Sequence, residues 1–267
     1  MSEPSVEFAK VSYTLGSGAS GRVLLRDVSL TLEAGTTTAL LGRSGRGKTT
    51  LLRMVNGLVE TSAGEVRVGG RATTEWDALE LRRGIGYVIQ EAGLFPHWTV
   101  ARNVGLALEL AGAEKGSMRG KIAEVLKLAG LDASLAERFP WQLSGGQRQR
   151  VGLARALAAD PGILLMDEPF GALDPMTRAE MQEMLKDLLG RVRKTVLLVT
   201  HDLDEALFLA SRVVFLENGE VVGDVESADV ANSENEYVKR YVAAVHRAPA
   251  GHFADSRGVG TNGGGRG

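Results

Sequence analysis

A short apolar run, Thr37–Leu41, leads straight into a glycine-rich loop, GRSGRGKTT from Gly42 to Thr50, and the loop leads into the helical run Leu51–Val55. This strand–loop–helix order constrains the chain more than any other feature. Small residues let backbone N–H groups wrap an anion, and the following helix N-terminus adds positive partial charge. The spacing Gly42-x4-Gly47-Lys48-Thr49 puts an ammonium and a hydroxyl at fixed offsets from that cradle. Lys48 is placed to reach the β- and γ-phosphates of a bound nucleotide, and Thr49 to offer its hydroxyl to Mg²⁺. A glycine turn with a surface lysine is the plain alternative, and the flanking strand and helix argue against it. Gly42, Arg43, Ser44, Gly45, Arg46, Gly47, Lys48, Thr49 and Thr50 form the expected nucleotide-binding stretch. Arg43 and Arg46 are unusual inside such a loop, and their side chains are expected to point outward.

A second glycine motif, LSGGQRQR, runs from Leu143 to Arg150. A generic nucleotide enzyme needs only the first motif. A machine that closes a nucleotide between two surfaces has a use for the second. Between the two motifs and beyond them lie further candidates. The apolar run Ile163–Met166 ends in Asp167 and Glu168. Successive strand side chains point opposite ways, so two adjacent acids at the tip can take separate tasks. Asp167 suits a Mg²⁺ shell, and Glu168 is then free to polarise an attacking water. Gln90, Asp174 and His201 each stand at the end of an apolar run or ahead of a helix. Singly, each has an ordinary structural explanation: a polar loop residue, a helix N-cap, a strand-end histidine.

Thr38–Leu41, Tyr87–Ile89, Ile163–Met166 and Val196–Thr200 are apolar runs without polar alternation, as in buried parallel strands. Helical patterns begin at Lys48 and cover Pro175–Leu189 and Asp202–Ala210, so an α/β sheet is expected. The opening differs: Glu7–Tyr13, Val23–Leu32 and Glu65–Val68 alternate or are β-branched, which predicts an antiparallel flank. From Thr99 to Leu157 strand signals nearly vanish, and Leu106–Leu110, Ile122–Ala129 and Val151–Ala158 predict an all-helical subdomain inserted at about 91–160. A last strand pair is expected in Ser211–Val222 and a helix around Tyr237–Val245. The main domain is expected to cover 1–247. The glycine-rich stretch Ala248–Gly267 has too little apolar surface to offset its ordering entropy, so disorder is expected there.

The formal charge of -2 gives no broad basic field for nucleic acid, and none is expected as a partner. Without cysteine there are no disulfides or thiolate metal sites, which fits a reducing compartment. The N-terminus carries no signal-peptide pattern, and no apolar run approaches the roughly 20 residues of a membrane-spanning helix. Any membrane role is therefore expected to come through a partner.

P-loop, LSGGQ and LMDEP, in that order, make the chain resemble the nucleotide-binding subunits of ATP-binding cassette transporters, over about Val6 to Val245. The resemblance implies a P-loop NTPase fold, ATP and Mg²⁺ as ligands, and ATP hydrolysis. It implies that Gln90, in GYVIQ, senses Mg²⁺ together with Thr49 and Asp167. Leu143, Ser144, Gly145, Gly146 and Gln147 would meet the γ-phosphate held by the opposite subunit, Asp174 would couple the two sites, and His201 would contact the γ-phosphate beside Glu168. The family stacks adenine on an aromatic residue of the first strand. That place falls on Leu15 here, so either Tyr13, two residues earlier on the same face, takes over or the base packs on an aliphatic. Gly171 stands where relatives often have serine.

The implied assembly is a head-to-tail homodimer on the cytoplasmic face of the inner membrane. It would work with a separate integral membrane permease and, indirectly, an extracytoplasmic solute-binding protein. Gly93–Trp98 would form the socket for a coupling helix of the permease. GYVIQ-x3-LFPHWTV-x2-NV with EPFGALDP most resembles importers of quaternary amines and related osmoprotectants such as glycine betaine, choline and carnitine. Other small-solute importers, and non-transport cassette ATPases, are the alternatives.

Overall fold

The computed structural model describes residues 5–16 and 21–245. The stretch Ala248–Gly267, expected to be disordered, lies outside the described residues.

Two sheets organise the fold. The first is antiparallel and has strand order β2-β1-β4-β5, from β1 (Val6–Leu15), β2 (Arg22–Leu32), β4 (Ala63–Val68) and β5 (Arg71–Ala72). The second has the order β10-β9-β3-β8-β7-β6. It contains β3 (Thr37–Leu41), β6 (Ile85–Val88), β7 (Ile163–Asp167), β8 (Thr195–Thr200), β9 (Arg212–Glu217) and β10 (Glu220–Glu226). β9, β3, β8, β7 and β6 run parallel, and only β10 pairs antiparallel, at one edge. The expected mainly parallel sheet with an antiparallel flank is what forms.

The central strands β7 and β8 are buried along their whole length. Their side chains alternate between two cores, as the pleat requires. Leu165, Leu197 and Val199 face the core shared with the first sheet and with α1 (Lys48–Val55). Leu164, Met166, Val196 and Leu198 face a second core closed by α6 (Pro175–Arg191) and one side of α5 (Gly145–Leu157). Truncating any of these fully buried leucines to alanine should cost about 2–5 kcal/mol.

The segment between β6 and β7 holds helices and loops but no strand: α3 (Val100–Leu110), α4 (Lys115–Leu128) and α5, with two short 3-10 turns between α4 and α5. It has its own core, in which Val104, Leu108, Leu126 and Val151 meet. Helix α5 belongs to both bodies. Val151 and Ala154 face the helical core, whereas Leu153, Ala156 and Leu157 face the sheet. α5 is thus the beam that holds the glycine motif at its N-terminus at a fixed place relative to β7. α2 (Ala78–Arg83) was not legible from sequence pattern: six residues are too few to show a period. The chain's described end is α7 (Leu203–Leu209), the β9–β10 hairpin and α8 (Glu236–Val245), packed together around Phe215.

Candidate functional site

β3 delivers the chain to the Gly42–Gly47 loop, and α1 carries it away. Two glycines there have a physical requirement. A Cβ on Gly42 would sit 2.3 Å from the Leu216 carbonyl oxygen, a backbone atom of neighbouring β9 that cannot yield. Gly47 has φ 99° and occupies the N-cap of α1, a left-handed position that disfavours a side chain. No side chain caps this helix, so its first-turn N–H groups have no side-chain acceptor.

Lys48 is buried at 4% exposure. Its Nζ donates to the carbonyls of Gly42 (2.7 Å) and Arg43 (3.0 Å), which folds the side chain back along its own loop. Burial pushes the ammonium below the ordinary lysine range, and the nearby Glu168 and Asp167 carboxylates oppose that shift. Thr49 Oγ1 donates to Asp167 Oδ1 at 2.9 Å, and the Tyr87 hydroxyl reaches Asp167 Oδ2 at 3.4 Å. Burial raises the Asp167 carboxyl above the usual carboxylate range, with the Thr49 hydrogen bond pulling the other way.

The adjacent acids diverge, but for a reason other than the expected strand alternation. β7 ends at Asp167, and Glu168 has φ 45°, in the left-handed region. Its N–H still donates to Val199 O (2.9 Å), and its side chain swings to within 3.3 Å (Oε2) of His201 Nδ1. A non-glycine residue at positive φ persists only where its surroundings hold it there. Ser44, Gly45, Gly47, Lys48, Thr49, Thr50, Gln90 and Glu168 line one cavity of about 230 Å³, and Leu24 of β2 closes its side. That space suits a phosphate chain rather than a whole drug-sized ligand. A Cβ on Gly171 would lie 3.6 Å from Gln90 Nε2 and 3.8 Å from Glu168 Oε2, so the glycine leaves an open gap between these two side chains.

Four residues of the expected nucleotide-binding set do not line this cavity: Gly42, whose carbonyl instead accepts from Lys48, and Arg43, Arg46 and Tyr13. Arg46 is drawn to the β9–β10 turn, donating to Asn218 Oδ1 at 2.7 Å and sitting 3.5 Å from Glu217 Oε1. Arg43 lines a separate cavity beneath α8. Tyr13 is half-buried and packs against the core of the first sheet, while Leu15 stands exposed. Leu24 and Tyr87 were missed from sequence: Leu24 sits in no motif, Tyr87 sits in GYVIQ but reads there only as part of a strand, and strand pairing brings both to the site.

The second glycine motif is built differently. Ser144 is the N-cap of α5, and its Oγ accepts from Gln147 N at 3.2 Å. Gln147 Oε1 accepts in return from Ser144 N at 3.0 Å, completing a capping box. Leu143 is buried and anchors the turn. A Cβ on Gly146 would strike Thr177 Cγ2 at 2.5 Å, so this glycine sets the close approach of α5 to α6. Asp174 caps α6, accepting from Thr177 N at 3.1 Å, and these hydrogen bonds hold its carboxyl below the usual range. Ser144, Gly146 and Gln147 line a cavity with Arg150, Thr177 and Glu180. It shares no residue with the Lys48 cavity. Within one chain the two glycine motifs do not meet.

Among the described residues no group of three or more His, Asp or Glu side chains is placed to hold a metal ion. None of the helices described is long and apolar enough to cross a membrane. The family model for "ABC transporter" matches residues 25–171. The glycine betaine uptake system ATP-binding protein YehX of Escherichia coli is 48% identical over 81% of this chain and 69% of its own length. The choline transport ATP-binding protein OpuBA of Bacillus subtilis is 44% identical over 83% of this chain and 58% of its own. The chain thus spans little more than half the length of the Bacillus relative. Among solved structures, a dimeric post-hydrolysis state of the ATP-binding cassette MJ0796, bound to ADP and Pi, matches at TM-score 0.75 and 37% identity. That match covers 83% of this chain and 98% of that one. The cassette cbiO1 of Clostridium perfringens, part of the transporter complex cbiONQ, matches at TM-score 0.76 and 26% identity, covering 88% and 93%.

Proposed function

Since the chain belongs to the ABC transporter family, we propose that it is the ATP-hydrolysing subunit of an importer for quaternary amines or related osmoprotectants. The observation that carries the hydrolytic part is the convergence of Lys48, Thr49, Gln90 and Glu168 on one cavity, with His201 against Glu168. The cargo class follows the relatives, whose names specify glycine betaine uptake and choline transport.

Lys48 neutralises the β- and γ-phosphates of ATP, and the uncapped N-terminus of α1 supplies backbone N–H groups to them. Thr49 and Asp167 offer two oxygens 2.9 Å apart, and Gln90, which lines the same cavity as Thr49, offers a third. That oxygen set fits Mg²⁺, which takes most of its shell from water and phosphate and so needs no protein-only cluster. Bound there, the ion would neutralise charge on the phosphates. Glu168 accepts a proton from the attacking water. His201, whose Nδ1 lies 3.3 Å from Glu168 Oε2, orients the carboxylate and reaches toward the γ-phosphate.

The second anion site comes from another copy. Ser144, Gly145 and Gly146 line no part of the Lys48 cavity, so a head-to-tail homodimer brings them onto the partner's nucleotide, with Asp174 at the seam. ATP then favours the closed pair, and hydrolysis releases it. A membrane permease receives this motion. An apolar groove of about 330 Å³ lies between α2, β6, α3 and α5, with Leu79 and Leu110 exposed at its rim. Arg155 lines this groove and donates to the Ala92 and Gly93 carbonyls at 2.7 Å each, two and three residues past Gln90. The neighbouring Gly93–Trp98 loop presents Phe95 packed against Trp98, ring centroids 4.3 Å apart and planes tilted by 35°, and the buried Asn103 holds the loop with three hydrogen bonds. An amphipathic cytoplasmic helix of the permease, seated over groove and loop, would feel any movement of Gln90. The subunit then works peripherally at the cytoplasmic membrane face, and an extracytoplasmic solute-binding protein delivers cargo to the permease.

The deciding experiment is Glu168→Gln. Turnover should fall about a hundredfold or more while ATP binding persists. Steady-state hydrolysis at the parental rate would overturn the assignment of the base.

A further inference from the structure

His201 is held from behind by an element far from it in sequence. The peptide unit joining His201 to Asp202 has one acceptor and one donor, and both are engaged by side chains. The Asp202 N–H donates to Thr200 Oγ1 at 3.0 Å. The His201 carbonyl accepts from the Tyr241 hydroxyl of α8 at 3.2 Å. The Thr200 hydroxyl is itself committed, donating at 2.7 Å to Glu205 Oε2, and Glu205 Oε1 accepts from Gln182 at 3.3 Å. Turning this peptide plane would swing the imidazole away from Glu168, and it would break a bond on each side.

The Tyr241 ring is well anchored for this task. It packs edge-on against Phe215 of β9 at 5.5 Å and beside Tyr237 at 6.2 Å. Burial and the nearby Asp202 raise its hydroxyl above the ordinary tyrosine range, so at neutral pH it remains a donor. Tyr237, one turn earlier, bonds Glu217 Oε2 at 3.1 Å, and Glu217 faces Arg46 of the glycine loop. Helix α8 therefore touches the nucleotide cradle from outside at two points, and only one of them reaches His201.

We infer that Tyr241 is a positioning residue for His201, through which the C-terminal helix α8 sets the register of the reaction site. The inference rests on the proposed role of His201. It makes α8 a place where a change at the chain's C-terminal side alters turnover without touching the nucleotide.

The test is steady-state ATP hydrolysis by the full chain carrying Tyr241→Phe, with Tyr237→Phe and His201→Ala alongside. Phenylalanine keeps the ring packing and removes one hydroxyl. The kcat of Tyr241→Phe should fall about fivefold, the scale of one lost hydrogen bond, with KM for ATP unchanged and the thermal midpoint lowered no more than in Tyr237→Phe, which also loses one bond. Tyr237→Phe should stay within about twofold of the parent, since its lost bond leads to Glu217 rather than to His201. An unchanged kcat in Tyr241→Phe overturns the inference. So does an equal fall in kcat in Tyr237→Phe, which a general loosening of α8 would produce. A second readout is independent of turnover: in histidine-labelled protein, the His201 ring resonances should move in Tyr241→Phe and not in Tyr237→Phe. Resonances that stay in place in Tyr241→Phe also overturn it. His201→Ala separates the two levels. Full hydrolysis by that variant removes the role of His201 itself, whereas lost hydrolysis beside a normal Tyr241→Phe removes only the brace.

Discussion

The Gly42–Thr50 loop and the Leu143–Gln147 turn both open a helix, yet they meet its orphan N–H groups in opposite ways. At the second, Ser144 and Gln147 satisfy each other, an arrangement that stabilises a helix by about 1 kcal/mol. At the first, no side chain caps α1, a left-handed glycine stands at the N-cap, and a lysine is buried against its own loop carbonyls. One turn is finished as a piece of structure. The other is left open, with its charge already in place. A chain tolerates such local disagreement where binding uses it. The difference argues that the first loop is a nucleotide cradle in the lone chain and that the second acts only when placed against a foreign surface.

Lys48→Ala attacks that contrast at its strongest point. The affinity of the isolated chain for ATP should drop about a hundredfold, the loss of more than one charge-assisted hydrogen bond. Titration with a fluorescent ATP analogue at low protein concentration measures it. Unchanged affinity would mean that the open loop is not the cradle.

Ser144→Ala sharpens the same contrast from the other side. Loss of the cap should cost about 1 kcal/mol of stability. ATP affinity of the isolated chain should remain parental, because Ser144 lines a different cavity from Lys48. Hydrolysis should fall about tenfold, since a donor to the partner's nucleotide is lost. Weakened binding in the lone chain would show that both loops serve one nucleotide without a partner, and the contrast would collapse.

Much of this was legible in the sequence because its elements are local. The strand–loop–helix around Lys48, the apolar runs of β7 and β8 and the Ser144 turn each carry their own pattern within about ten residues. What was not legible depends on strand order. Tyr87 reaches Asp167 because β6 pairs with β7, and Leu24 closes the phosphate cavity from a different sheet. Tyr241 meets His201 across forty residues of chain. The outward direction of Arg46 was expected, but its partners were not legible: Glu217 and Asn218 come from a hairpin more than 170 positions away. The split between Asp167 and Glu168 was foreseen on the wrong ground. It comes from the left-handed φ of Glu168, which no residue pattern announces.

The smallest effect concerns the cost of keeping the first loop open. Burial raises the Asp167 carboxyl above the ordinary range in the folded chain. A carboxyl raised on folding adds stability only while it is protonated. That contribution is complete below the unfolded-state value near 4 and is lost as pH rises through the folded-state value. At neutral pH the ionised Asp167 is therefore a net burden on the unliganded chain. Asp167→Asn keeps an oxygen for the Thr49 hydroxyl and removes the charge. The variant should unfold at a slightly higher temperature than the parent at pH 7, and the gap should close as pH falls below about 4. Lys48 loses one of its two nearby counter-charges in this variant, but Glu168 remains. On the proposed role of Asp167, hydrolysis should be lost at the same time, because the negative charge that would hold magnesium is gone. If Asp167→Asn instead lowered the unfolding temperature at pH 7, the carboxylate would be a structural support of the loop. The open cradle and the capped turn would then differ in geometry alone and not in what they cost the fold.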